Sequence, residues 1–111
     1  MTSLREIFRT DTAATEELEL NIRPDYRDSG PGSGYVVDCL RSARWCVDVG
    51  GYEQIVRSGI SLGNDTDTTA CVAGGIAGLR DGIGAIPMRW VDALRGRDLW
   101  EPLLDRCLAR W

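Results

Sequence analysis

Apolar positions recur every three to four residues along almost the whole chain, and nowhere do they alternate strictly, so the pattern predicts helices throughout and no strand. Two short helical patterns come first, "SLREIFR" (3–9) and "AATEELELNI" (13–22), the second preceded by Asp11 and Thr12 as caps. From Pro24 to Gly34 the segment "PDYRDSGPGSG" is dense in Pro, Gly, Ser and Asp and reads as a loop. "YVVDCLRSARWCVDV" then sets Val36, Leu40, Ala43 and Val47 on one stripe, widened by Val37 and Trp45, with Asp38, Arg41 and Asp48 toward water; Gly50 and Gly51 end it. "YEQIVRSGISLG" continues as a helix with Ile55, Ile60 and Leu62 apolar, closing at Gly63. The next helix runs from about Asp65 to Gly82. A turn, "DGIGAIP", leads through Pro87 into "MRWVDALRG", and "DLWEPLLDRCLARW" closes the chain with Pro102 within its first turn or so. The expected architecture is a single all-α domain over 1–111, a compact helical bundle with 1–34 as an N-terminal helical arm and loop and 35–111 as the helical core.

A chain of 111 residues fits one domain with a modest core. Its 13 basic and 17 acidic residues give a net charge of −4 with the arginines dispersed, which argues against nucleic acid as a partner. No apolar run is long enough to span a bilayer and no basic start precedes an apolar stretch, so no membrane partner is expected and the cytoplasm is the expected setting. Histidine is absent, which removes the usual general base, the Ser-His and Cys-His pairs and the commonest transition-metal ligand. Any chemistry must therefore use carboxylates, hydroxyls or a hard metal ion. Cys39, Cys46, Cys71 and Cys107 show no CxxC spacing and are expected as free, buried thiols.

The candidate chemistry lies in "SLGNDTDTTACVAGGIAGL" (61–79), where Asp65, Asp67 and Thr68, with Thr66 and Thr69 alongside, crowd the start of a helix. Simple capping accounts for one carboxylate at the N-cap and another answering the helix dipole. Two carboxylates about 5 Å apart in a partly enclosed site nevertheless repel more than a helix terminus returns, and a hard cation taking two carboxylates and a hydroxyl would offset the repulsion. On the residues alone the two readings stand level. Gly74, Gly75 and Gly78 fall inside the same helix, at about 1 kcal/mol each relative to alanine, which predicts close helix approach rather than a phosphate-binding loop.

Three runs, "SGYVVDCLRSARWCV", "YEQIVRSGISLGNDTDTTACVAGGIAGL" and "GIGAIPMRWVDAL", together resemble the ADP-ribosylglycohydrolase family, which includes the dinitrogenase reductase-activating glycohydrolases, from Ser33 to about Leu94. The resemblance implies an all-α orthogonal bundle with two Mg²⁺ or Mn²⁺ ions, and Asp65, Asp67 and Thr68 as this chain's share of the metal ligands. It further implies ADP-ribose as ligand and metal-assisted cleavage of its link to a protein side chain. Ser33, Gly34 and Tyr35 would line the ligand cleft, with Tyr35 either stacked on the adenine or packed on a neighbour at the start of its helix. The family's N-terminal Gly-Asp motif, catalytic acid and Thr-Asp-Asp trio have no counterpart here: "RTDTAA" lacks the second aspartate, and Glu16 and Glu17 read as a solvated face. The expectation is a truncated member, like the C-terminal portion standing alone with its own initiator methionine. It would bind metal weakly and not hydrolyse as a monomer. An apolar face around Val36, Ile76 and Trp90 would favour a homo-oligomer or a complementary N-terminal fragment. The alternatives are a hydrolase assembled from two chains and a non-enzymatic structural or interaction module.

Overall fold

The computed structural model describes residues 3–110, and these are all-α, with no strand among them. Helix α1 (Leu4–Ile7) starts at a capping box in which the Ser3 hydroxyl accepts the Glu6 amide and the Glu6 carboxylate accepts the Ser3 amide. Helix α2 (Thr12–Glu16), capped by Asp11, runs straight into a wider π-helical stretch (Glu17–Ile22) that ends at Arg23 in the left-handed region. The Arg5 guanidinium bridges Glu19 and Asp25 and ties α1 to this arm. Beyond the loop come α3 (Val36–Val47), α4 (Tyr52–Ser61), α5 (Thr66–Asp81), a 3-10 turn (Ile83–Ala85), α6 (Met88–Ala93) and α7 (Arg97–Leu108). Trp111, placed in the last helix by the sequence pattern, lies outside the described residues.

The core is where α3, α4 and α5 meet, with α5 packed on both of the others. Ala43, Cys46, Ile55, Ala73 and Ala77 are fully buried, flanked by Trp45, Val47, Tyr52, Leu62 and Ile76. Small residues dominate because the helices approach closely. A side chain at Gly59 of α4 would stand 3.2 Å from the Cα of Ala70 in α5, and one at Gly74 would meet the Tyr52 hydroxyl at 3.4 Å. Of the three glycines expected to serve close approach, Gly74 does so and Gly78 lies in ordinary contact with Tyr52. Gly75 faces open space, while the tightest approach of one helix to another belongs to Gly59.

Close approach also turns α3 away from the expected stripe. Its buried face is Cys39, Ser42, Ala43 and Cys46, while Val36 is 72% exposed and Leu40 is also exposed. Small side chains let α5 come near; the larger Val and Leu are left outside that contact. Arg41, expected in water, keeps only 16% of its side chain exposed: it pairs with Asp28 at 2.7 Å and lies over the Tyr26 ring. Cys39 and Cys46 are buried free thiols as expected, but Cys71 and Cys107 are exposed. Pro102 falls in the second turn of α7, because that helix starts at Arg97.

The expected apolar face is also redrawn. Val36 is exposed, but Ile76 packs on the core and Trp90 is half-buried, edge-on to Tyr52 at 6.2 Å. Toward the C-terminal end, exposed apolar residues include Leu79, Ile83 and Met88, and along α7 Leu99, Leu103, Leu104 and Leu108. Among the described residues no helix packs extensively on α6 or α7. The radius of gyration is 16.6 Å, against about 13 Å for a compact chain near this length. No helix among the described residues is long and apolar enough to cross a membrane.

Candidate functional site

The mouth of α5 is built by the turn that leads into it. Gly63 and Asn64 both take positive φ (73° and 53°), reversing the chain so that Asp65 becomes the N-cap. Its Oδ1 accepts the Thr68 amide at 3.3 Å and its carbonyl accepts the Thr69 amide at 3.1 Å. Asp67 and Thr68 then stand in the first turn. The Thr68 hydroxyl, then the neighbouring Asp67 carboxyl and the Thr68 amide, hold the Asp65 carboxyl below its ordinary value of 3.8.

The loop before α3 closes over this mouth. The Asp65 amide donates to the Gly32 carbonyl at 3.0 Å, and the Asn64 side-chain amide donates to the Pro31 carbonyl at 2.8 Å. Ser33 donates its hydroxyl to Asp38 at 2.7 Å and accepts the Tyr35 amide at 3.3 Å. Gly34 rests against the Asp65 carboxylate so closely that any side chain there would collide with it. The two groups singled out from the sequence, Ser33–Gly34–Tyr35 and Asp65–Asp67–Thr68, therefore meet through Gly34. Tyr35 is the N-cap of α3 and is 62% exposed. Beside it opens a cavity of about 190 Å³ lined by Asn21, Arg23, Asp38 and Arg41 among others.

The sequence placed Thr69 only alongside the acidic cluster, not in the core, and did not mark Ser42 at all. Thr69 is fully buried and its hydroxyl has no hydrogen-bond partner among the described residues; burial, then the charge of Asp65, pushes the Cys39 thiol beside α5 up. Ser42, also fully buried, accepts the Gly32 amide at 3.0 Å. The signal for Thr69 was its i, i+4 spacing with Ala73 and Ala77; Ser42 was hidden because the apolar stripe was set on Val36 and Leu40.

The donor set at α5 is all hard oxygen, two carboxylates and a hydroxyl, which fits Mg²⁺ or Mn²⁺ rather than a soft metal. It is partial: no cluster of three metal-ligating acidic, thiol or imidazole side chains occurs among the described residues. Asp65, Asp67 and Thr68 would hold such an ion, and the remaining coordination positions would fall to water or to groups from elsewhere. When bound, the ion would polarise a ligand oxygen or activate water.

The family model described as ADP-ribosylglycohydrolase matches residues 2–111, and the chain belongs to that family. Among known proteins it is similar to ADP-ribosylhydrolase ARH3 of Danio rerio, 44% identical over 57 residues, covering 51% of this chain and 15% of that protein. It is also similar to ADP-ribosylarginine hydrolase Tri1 of Serratia proteamaculans, 38% identical over 69 residues (61% of this chain, 19% of that protein). Tri1 of Pseudomonas putida is 36% identical over 85 residues (72% and 23%). The matched part is less than a quarter of the length of each relative. No solved structure matches the chain at a significant level.

Proposed function

We propose that this chain carries part of a metal-dependent ADP-ribosyl hydrolase site: Asp65, Asp67 and Thr68 bind Mg²⁺ or Mn²⁺, and Ser33, Gly34 and Tyr35 form the adjoining lip that takes ADP-ribose. The observation that carries this reading is the contact of Gly34 with the Asp65 carboxylate, which joins the two groups into one site. The cavity beside Tyr35 adds support, because Arg23 and Arg41 line it, Arg41 with its guanidinium already paired to Asp28, while the Asp38 carboxylate is engaged by Ser33. A diphosphate-bearing ligand suits such surroundings. With two carboxylates and one hydroxyl the site binds metal weakly and does not hydrolyse as a monomer.

The test is a calorimetric titration with Mn²⁺ and Mg²⁺, then ADP-ribose, comparing the wild-type chain with the Asp65→Asn, Asp67→Asn double variant. Saturable binding lost in the variant supports the reading. No binding at millimolar metal overturns it and leaves Asp65 and Asp67 as capping residues of a non-enzymatic interaction module.

A second reading, a hydrolase completed by a second copy or a complementary fragment, is favoured by the surface. The chain exposes 8049 Å², against about 6,100 Å² for a folded monomer of 12.2 kDa, and the excess includes the apolar side chains of α6 and α7. Release of ADP-ribose from an ADP-ribosylated arginine peptide only above the concentration at which the chain associates, and not in Asp65→Ala, supports it. Activity that does not follow association overturns it.

A further inference from the structure

A serine in the fully buried interior of a helix needs a partner for its hydroxyl, and Ser42 has one that reaches beyond α3. Its Oγ accepts the Gly32 amide at 3.0 Å, and the Gly32 carbonyl accepts the Asp65 amide at 3.0 Å. One residue of the loop is thus bonded through its N–H to the middle of α3 and through its C=O to the N-cap of α5. Its neighbours brace the same arrangement: Pro31 takes the Asn64 side chain and Ser33 holds Asp38.

The fit leaves the loop little freedom. Gly30 and Gly32 sit at φ +63° and +64°, where L side chains are strained. A side chain at Gly30 would stand 2.6 Å from the Ser42 hydroxyl, and one at Gly32 would stand 3.0 Å from the Cβ of Leu62. At Gly34 it would run into the Asp65 carboxylate. The loop is therefore seated between Ser42 on one side and Leu62 and Asp65 on the other.

We infer that Ser42 is the positioning residue of the Asp65 site: through the two backbone groups of Gly32 its hydroxyl fixes where the Asp65 main chain and carboxylate stand. Ser42 touches neither metal nor ligand. The inference rests on the metal-site reading for its functional consequence, although not for the geometry itself. A competing account makes Ser42 a small filler that lets α5 come close, and on that account alanine serves equally well.

The experiment uses the full chain and the Ser42→Ala variant. Amide hydrogen exchange, followed by NMR without metal, is expected to accelerate roughly tenfold or more at Gly32 and Asp65 while Ile55 and Ala73 in the core stay nearly unchanged. Mn²⁺ affinity is expected to fall roughly tenfold, as for other residues that orient metal ligands. Ile55→Val, which weakens the core away from the loop, controls for stability and is expected to leave Mn²⁺ affinity unchanged. If Ser42→Ala does not fold, Ser42→Cys, close in volume with a weak acceptor, carries the same test and is expected to give a smaller loss.

Unchanged exchange at Gly32 and Asp65 overturns the inference, as does a loss of Mn²⁺ affinity equal to that in Ile55→Val. Accelerated exchange at those two amides in a chain whose wild type binds no Mn²⁺ supports the positioning of Asp65 and overturns the metal reading instead.

Discussion

Asp65 is asked to cap α5 and, in the proposed site, to bind metal, and one pair of substitutions separates the two. Asparagine caps a helix about as well as aspartate, whereas alanine does not. Asp65→Asn is therefore expected to keep the melting temperature and lose Mn²⁺ binding, while Asp65→Ala loses both; thermal melts beside calorimetry check this. The same carboxyl sets a pH dependence. Its folded value lies below the ordinary 3.8, as does that of Glu53 relative to 4.5, where Arg89 and then Arg57 hold the charge. A depressed carboxyl contributes stability that is present above its unfolded value and lost as pH falls through its folded one. Melting temperature is expected to be level from neutral to about pH 5 and to fall below about pH 4, less steeply in Asp65→Asn. The cap at Asp65 was legible from "NDTDTT" because capping is local chemistry. The service of Gly34 to Asp65 was not, since it depends on a contact between segments 31 residues apart in sequence.

Helical period alone located the helices, but it did not say which faces they bury. Hydrophobicity ranks Val36 and Leu40 above Ser42 and Cys46, so the expected stripe on α3 followed the large residues. The observed one follows the small residues, because α5 offers Thr69, Ala73, Gly74 and Ala77 and can be met closely only by small partners. The same steric rule divides the glycines. Gly59→Ala must push against the Ala70 backbone and is expected to cost about 1–3 kcal/mol, whereas Gly75→Ala, facing open space within α5, is expected to gain about 0.5–1 kcal/mol. Chemical denaturation of the two variants checks both signs. The end of α3 was also invisible to period: Arg80 of α5 donates to the carbonyls of Val47 and Gly50 at 2.9 and 2.8 Å, closing carbonyls the helix and the following turn leave open.

At the scale of the molecule, the all-α character was readable from period and the family from its motifs, but the distribution of exposed surface was not. Leu79 is 92% exposed, and α7 presents Leu99, Leu103, Leu104 and Leu108 to solvent. A stable interface needs only about 800 Å² from each partner, less than the excess this chain exposes. Light scattering is expected to show concentration-dependent association of the wild-type chain, weakened by Leu103→Glu with Leu108→Glu. A monomer at all concentrations would remove the second-copy reading.

The turns joining α3 to α4 and α4 to α5 are four residues each, 48–51 and 62–65, so α3 meets α4 and α4 meets α5 through local contacts. The loop reaches α5 only by closing a circuit of 33 residues, from Pro31 to Asn64. The α3–α5 packing spans a similar reach but buries side chains, whereas the loop adds mainly hydrogen bonds at the rim, so its contacts are expected to form after that packing. Ser42→Ala is accordingly expected to leave the refolding rate nearly unchanged and to speed unfolding, as stopped-flow fluorescence would record. The lip of the site is then expected to let go before the three core helices part.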